Sequence, residues 1–195
     1  MLSECIWLAE SNQSNVYAHR EHEKEIAAMR FVIKRLGWAD AWAMSGWRYE
    51  EPYTLYNLYL SPAVFVCLRP LLVLMGYEFF SAHTEQGELA GLFTFTRLWN
   101  HQVEIGLGLR PDMTGKGYGL AFVQAGLEFG QARYAPEAFQ LGVAGFNQRA
   151  IKVYQRAGFQ IVKEKMWWTS RGAVMGWEMR RAAWIDGEGS PEAFV

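Results

Sequence analysis

This 195-residue chain is short of the residues that mark several large functional classes. It has only two cysteines, Cys5 and Cys67. They lie far apart and outside any CxxC pair, so no disulfide framework or cysteine metal site is expected, and a reducing compartment fits. Its four histidines, His19, His22, His83 and His101, show no ligand spacing, so no metal is expected. Charge of one sign is also missing. Nineteen basic residues face twenty acidic ones, and no block of lysine and arginine offers an electrostatic footprint for nucleic acid. The start, MLSECIWLAESNQSN, lacks the basic residues and long apolar stretch of a secretory signal. The most apolar run, AVFVCLRPLLVLMGY, is broken by Arg69 and Pro70 and is shorter than the roughly 18 residues a spanning helix needs. No membrane contact and a cytoplasmic location are the resulting expectations.

Apolar and aromatic residues are plentiful. They make up 51% and 15% of the chain, which argues for a folded globule and against disorder. The length suits one domain. Residues 1–28 are polar and without clear pattern until their end, and are expected to be an extension. The domain is expected to begin at Met29 with the strand MRFVIKRL and to run to 183, leaving 184–195 as a polar tail. Proline-interrupted short helices and loops follow the first strand. YEFFSAHT and ELAGLFTFT then read as a hairpin turning at Gly87, and HQVEIGLGLR as a further strand. A glycine-rich stretch leads into a helix from about Tyr118 to Arg133, in which Leu120, Val123 and Leu127 recur at helical spacing. FQLGVAG is a strand. NQRAIKVYQRAGF is a short helix with Asn147 as N-cap and Gly158 just past its end. VKEKMWWTS and AVMGWEMRR close the chain as a second hairpin. The class is mixed α/β: one largely antiparallel sheet, flanked by helices, with a single parallel crossover through the glycine-led helix.

The stretch RPDMTGKGYGLAF carries the first functional signal. Strand, glycines and helix N-terminus in that order suit a phosphate, because backbone N–H groups and the helix dipole point at the anion with no Cβ in the way. Two familiar cradles are excluded. Arg110 stands where a P-loop has its first glycine, and Pro111 stands at the third glycine of the dinucleotide pattern. A glycine-rich turn without a ligand remains the alternative. The second signal is LGVAGFNQRAIKVYQRAGF, which puts Asn147 and Tyr154 two turns apart on one helix face.

Together these segments resemble the GNAT family of acetyl-CoA-dependent N-acetyltransferases, in element order from about Met29 to Arg181. Asn147, Ala150, Tyr154, Gly158 and Phe159 match that family's later motif throughout. Thr114-Gly115-Lys116-Gly117-Tyr118-Gly119 matches its cofactor motif except at Thr114, where glutamine or arginine is usual. The resemblance implies a GNAT fold, with a β-bulge and splayed central strands at the acetyl-CoA site. It implies that residues 114–119 and Asn147 contact the cofactor, and that Leu107, Gly108 and Leu109 offer backbone to its pantetheine arm. Tyr154 becomes the general acid for the departing thiolate, or else a core tyrosine. Glu104 is the candidate base, or a solvent-facing strand residue; Glu50 and Glu51 are rival acids. Trp47, Tyr49, Tyr53 and Tyr56 either line the acceptor site or pack on the sheet. The implied partners are acetyl-CoA and an amine, in a monomer or homodimer. A non-catalytic acetyl-CoA-binding module of the same fold, and a nucleotide-binding regulator using the same cradle, are the competing readings.

Overall fold

The computed structural model describes residues 29–57, 71–169 and 172–183. The sequence-predicted segments 1–28 and 184–195 therefore lie outside the described residues, as do 58–70 of the proline-rich stretch. Among the described residues, seven strands form one sheet: β1 (Phe31–Arg35), β2 (Tyr77–Thr84), β3 (Leu89–Arg97), β4 (Gln102–Leu109), β5 (Ala138–Ala144), β6 (Gln160–Thr169) and β7 (Gly172–Ala182). Their spatial order is β1-β2-β3-β4-β5-β7-β6. Every neighbouring pair is antiparallel except β4 and β5. That pair runs parallel and is joined by α2 (Gly119–Tyr134), the crossover that two adjacent parallel strands require. α1 (Trp38–Ser45) follows β1, and α3 (Gln148–Arg156) follows β5.

Pairing partners in a sheet share a face, so register sorts the side chains. Phe80, Phe93, Leu107, Phe139, Leu141 and Met179 fall on the face covered by α2 and α3, where they join the main core with Phe122, Leu127, Ile151 and Tyr154. The crossover helix sits unusually close. A Cβ on Gly126 would come within 2.4 Å of the Phe93 ring, and one on Gly130 within 2.8 Å of Phe139. That approach lets Phe93 and Phe122 stack at 4.4 Å and buries both rings, each fully buried aromatic contributing about 1.5–3 kcal/mol. The opposite face carries α1, whose Ala41 and Met44 pack with Leu36, Trp47, Phe79 and Leu92.

The feature that positions a site lies between β4 and β5. They pair only from Gln102↔Ala138 to Glu104↔Gln140 and then part, although β4 continues to Leu109 and β5 to Ala144. The β-bulges sit elsewhere, between Ala82 and His83 in β2 and between Ile161 and Lys163 in β6. The β3–β4 register runs unbroken from Gly91↔Leu109 to Arg97↔Val103. The expected bulge at the splay is therefore corrected: the parting of β4 from β5, with β4 still straight against β3, makes the opening.

Candidate active site

Which backbone groups face the opening follows from alternation in antiparallel ladders. Arg110 N–H bonds to the Ala90 carbonyl, and Leu98 N–H to that of Gln102. Even-numbered residues of β4 thus spend their backbone groups on β3. Odd-numbered ones, Leu107 and Leu109 among them, direct theirs into the splay. On β5 the Gly145 N–H bonds to Met175 of the β7 side, so Ala144, of opposite parity, faces β4 across the gap. An extended chain can lie there and pair with β4 as a further strand would.

The chain leaves β4 through a 3-10 turn, Pro111–Met113, into the glycine loop. Gly115 and Gly117 adopt φ of +77° and +93°, a region that costs any residue with a Cβ about 1–2 kcal/mol. They turn the backbone so that α2 begins at Gly119, and no side chain caps its first turn. Open N–H groups at a helix start, with the dipole behind them, form an anion site. The Thr114 hydroxyl does not add to it here; it donates to the Pro111 carbonyl at 2.7 Å. Lys116 and Tyr118 border a cavity of about 490 Å³ on the side of the loop facing the β2–β3 turn. On the other side is Arg149, whose guanidinium lies 3.5 Å from where a Cβ on Gly115 would be and 4.1 Å from the centre of the Tyr53 ring.

α3 starts at the far wall of the splay. Asn147 caps it, its Oδ1 accepting from the Ala150 N–H at 3.2 Å, as its place before an apolar-periodic run foretold. Its Nδ2 donates to the Tyr56 hydroxyl at 3.2 Å. Two turns on, Tyr154 is 8% exposed, edge-on to Phe159. Burial, and behind it the nearby Tyr56, push its ionisation well above the ordinary tyrosine range, so its proton stays on at neutral pH.

The segment between α1 and the splay straps its mouth. Tyr49 N–H donates to Asn57 Oδ1, and the Tyr49 hydroxyl reaches the Leu109 carbonyl at 2.7 Å. Burial pushes that phenol up to about 12. Tyr56, at the end of the 3-10 turn Tyr53–Tyr56, crosses to the β5 side, where its hydroxyl oxygen also accepts from the Ala144 N–H. Tyr53 and Tyr56 both pack on Phe146.

Sequence-predicted residues therefore separate into groups. Leu107 and Leu109 line the splay, Asn147 meets Tyr56 at the start of α3, Gly115 and Gly119 of the loop lie beside Arg149 and Val153 of α3, and Tyr154 is buried on that helix. Glu104 sits on the face opposite α2 and α3, at the last paired position below the opening. Trp47 is drawn into the small core with α1, and Tyr53 lies at the start of α3. Glu51 accepts from Thr54 Oγ1 at 2.9 Å and so braces the strap. Sequence reasoning gave Arg149 no ligand role and Tyr56 no separate one. The only signal for Arg149 was a cation two residues after the N-cap, which ordinary solvated helices share. Among the described residues no group of three or more His, Cys, Asp or Glu is placed to hold a metal, and no helix is long and apolar enough to cross a membrane.

Parallel strands that part, a glycine-led crossover helix and a capped helix carrying a buried tyrosine are set on one mixed α/β sheet. Residues 40–159, more than half of the chain, match the family model described as acetyltransferase (GNAT) family, and the chain belongs to that family. A 56-residue stretch is 43% identical to mycothiol acetyltransferase of Propionibacterium freudenreichii subsp. shermanii. That stretch is 29% of this chain, and the chain spans only 18% of that relative's length. Among solved structures, a chimera of the spermidine N-acetyltransferase SpeG from Vibrio cholerae and hSSAT superposes with a TM-score of 0.68 at 16% identity, over 78% of this chain and 95% of that one. The Vibrio cholerae spermidine N-acetyltransferase in complex with CoA and spermine gives 0.61 at 17% identity, over 78% and 95%. These likenesses establish the shared fold.

Proposed function

We propose that this chain is an N-acetyltransferase that transfers acetyl from acetyl-CoA to a primary amine by direct attack. The observation that carries the reading is the parting of β4 from β5 beyond Glu104, with the glycine-led start of α2 following β4 and the Asn147-capped helix that carries Tyr154 following β5. The residues suit the cofactor. The odd-numbered backbone groups of β4 match an amide-bearing arm, and a Cβ at Gly119 would crowd Val153 at 3.2 Å, closing the loop's approach to α3. Leu107 and Leu109 would hold the arm, with Gly108 between them bonded to β3, and residues 115–119 with Arg149 the phosphates, Thr114 bracing the loop through Pro111. The Asn147 amide faces the arm once it exchanges its bond to Tyr56. Bound acetyl-CoA supplies a thioester carbonyl open to attack by a neutral amine.

Tyr154 keeps its proton at neutral pH and sits two turns along α3 from Asn147, which supports reading it as the general acid. Glu104, on the opposite face just below the opening, serves the acceptor side, directly or through a water, as acceptor of the amine's proton. Tyr49 and Tyr56 keep bulk water from the mouth of the splay, and Trp47 steadies α1 beneath the acceptor wall. The catalytic unit is residues 29–183, with 1–28 and 184–195 outside it; its first strand starts at Phe31 and its last ends at Ala182.

The test is release of free thiol from acetyl-CoA across a panel of primary amines, with Tyr154→Phe beside the parent. The substitution removes one hydroxyl and keeps the ring. A positioned acid contributes about 10²- to 10⁴-fold, so kcat should fall within that range while calorimetric acetyl-CoA affinity stays within twofold. Tight binding with no thiol release for any amine would instead identify a non-catalytic acetyl-CoA-binding module.

A further inference from the structure

The sheet face opposite α2 and α3 carries a row of polar side chains at the closing edge of the splay. Register sets the row: Glu104 of β4 pairs with Gln140 of β5, and Gln140 pairs with Arg180 of β7. Pairing partners share a face, and the adjoining row of Val103, Phe139 and Arg181 takes the other one, toward the core. Neighbouring strands lie about 4.8 Å apart, so the backbones at Glu104 and Arg180 stand roughly 10 Å from each other with Gln140 between them.

This row is unspent. Among the described residues, no side-chain hydrogen bond or ion pair engages Glu104, Gln140 or Arg180. Gln140 is 9% exposed, and the Arg180 Nε is shut off from solvent without a partner. A buried donor left in that state calls for an acceptor. The next row of the same face shows the contrast. There Glu178, 4% exposed, is held by Lys163 Nζ at 3.3 Å and Lys165 Nζ at 3.7 Å. Glu178 and its lysines satisfy one another, whereas Glu104 and Arg180 are opposite charges one strand too far apart to join. On β4 to β7 this face sets three cations, Arg180, Lys163 and Lys165, against two carboxylates, Glu104 and Glu178. A polycation gains nothing from that balance. A molecule with an ammonium at one end and an anion at the other fits both ends of the open row.

We propose that the acceptor is a zwitterion, an amine that also bears a carboxylate, as an amino acid does. Its amino group meets Glu104, its carboxylate takes the forked donors of Arg180, and the Gln140 amide bonds between them. The inference rests on the reading of the chain as an N-acetyltransferase with Glu104 on its acceptor side.

Thiol release tests it, at one pH and saturating acetyl-CoA. The standard amino acids are each set beside their own carboxamide, with spermidine and putrescine as amines that lack an anion. The best amino acid should exceed its carboxamide in kcat/KM by about 10- to 100-fold, as loss of a charge-assisted pair implies, and should exceed spermidine and putrescine. In Arg180→Gln the ratio of acid to carboxamide should fall to about one, mainly through KM, and Arg180→Lys should restore part of it. A residue that only shapes the fold would lower both rates alike and leave the ratio. Calorimetric titration of the same amino acid into the protein with CoA present should follow the same order across the variants. Equal kcat/KM for acid and carboxamide in the parent overturns this inference and leaves the acetyltransferase reading standing. So does a ratio unmoved in Arg180→Gln, or a preference for spermidine or putrescine. Thiol release with no amine at all removes the acetyltransferase reading and this inference with it. Should Arg180→Gln fold poorly, the comparison of acid with carboxamide in the parent decides alone.

Discussion

The lower and upper halves of the β4–β5 pair differ although the strands are continuous. From Gln102 to Glu104 the two are hydrogen-bonded, and Val103 and Phe139 lie buried there at 3% and 2% exposure, with α2 pressed against Phe139 at Gly130. From Ile105 onward β4 keeps its register with β3 but loses β5, and Tyr49 and Tyr56 strap the gap. The closed half spends its backbone groups on the sheet. The open half withholds them, at a cost, since unpaired backbone groups must find water or a ligand. Stability and ligand binding are thus assigned to adjacent stretches of the same strands, and substitutions should separate them.

The largest expected effect is in the closed half. Gly130→Val sets a branched side chain where even a Cβ would lie 2.8 Å from Phe139 and 2.9 Å from Phe95, both rings being buried. Overpacking of this kind typically costs about 1–3 kcal/mol. Urea unfolding should show that loss, while the folded fraction binds acetyl-CoA within twofold of the parent. Affinity lost without stability would show that the two halves are not separable.

Next is the open half. Gly117→Val puts a β-branched residue at φ +93°, so the loop must re-form elsewhere. Strain of about 1–3 kcal/mol, felt mostly in the loop, corresponds to roughly 5- to 150-fold in acetyl-CoA affinity if it falls on the bound geometry. Calorimetric titration checks this. Unchanged affinity in a protein of lowered melting temperature would take the loop out of the ligand site.

How much of this was readable beforehand differs between the halves as well. Strands, hairpins and both helices of the core face were visible because each obeys a local rule: alternation in YEFFSAHT, helical spacing of Leu120, Val123 and Leu127, an asparagine cap and a glycine stop around α3. The glycine loop was equally legible, since only a few backbone tasks require three glycines in five positions. The strap was not. Tyr49, Tyr53 and Tyr56 sit in a segment with little regular structure, and what they touch (Leu109, Arg149 and Asn147) lies about 50 to 100 residues away in sequence. Trp47 and Tyr53 looked alike as aromatic neighbours, yet one turns into the core under α1 and the other onto α3. The position of the splay was equally hidden, because β4 reads as one uninterrupted strand and nothing local says where β5 leaves it.

A smaller effect compares the two walls of the open half through their phenols. Tyr49 on the β4 side is pushed up to about 12, and Tyr154 on the α3 side is raised further, each by burial first. Below pH of about 10 both phenols are neutral whether the chain is folded or not, so their burial costs nothing extra. Above it the unfolded chain releases these protons and the folded chain keeps them. The unfolded state then binds fewer protons, and stability falls as pH rises, by at most about 1.4 kcal/mol per pH unit for each group. For Tyr49 the loss is confined to the window from about 10 to about 12; for Tyr154 it continues beyond. Tyr49→Phe and Tyr154→Phe should each flatten the decline measured by urea unfolding between pH 9.5 and 11, relative to the parent. The Tyr49→Phe protein also leaves the Leu109 carbonyl without its partner, so it should start from a lower stability at neutral pH, by about 0.5–1.5 kcal/mol. A parent-like decline in Tyr154→Phe would mean that water reaches the α3 wall as freely as it reaches the mouth, and the asymmetry between the two walls would be lost.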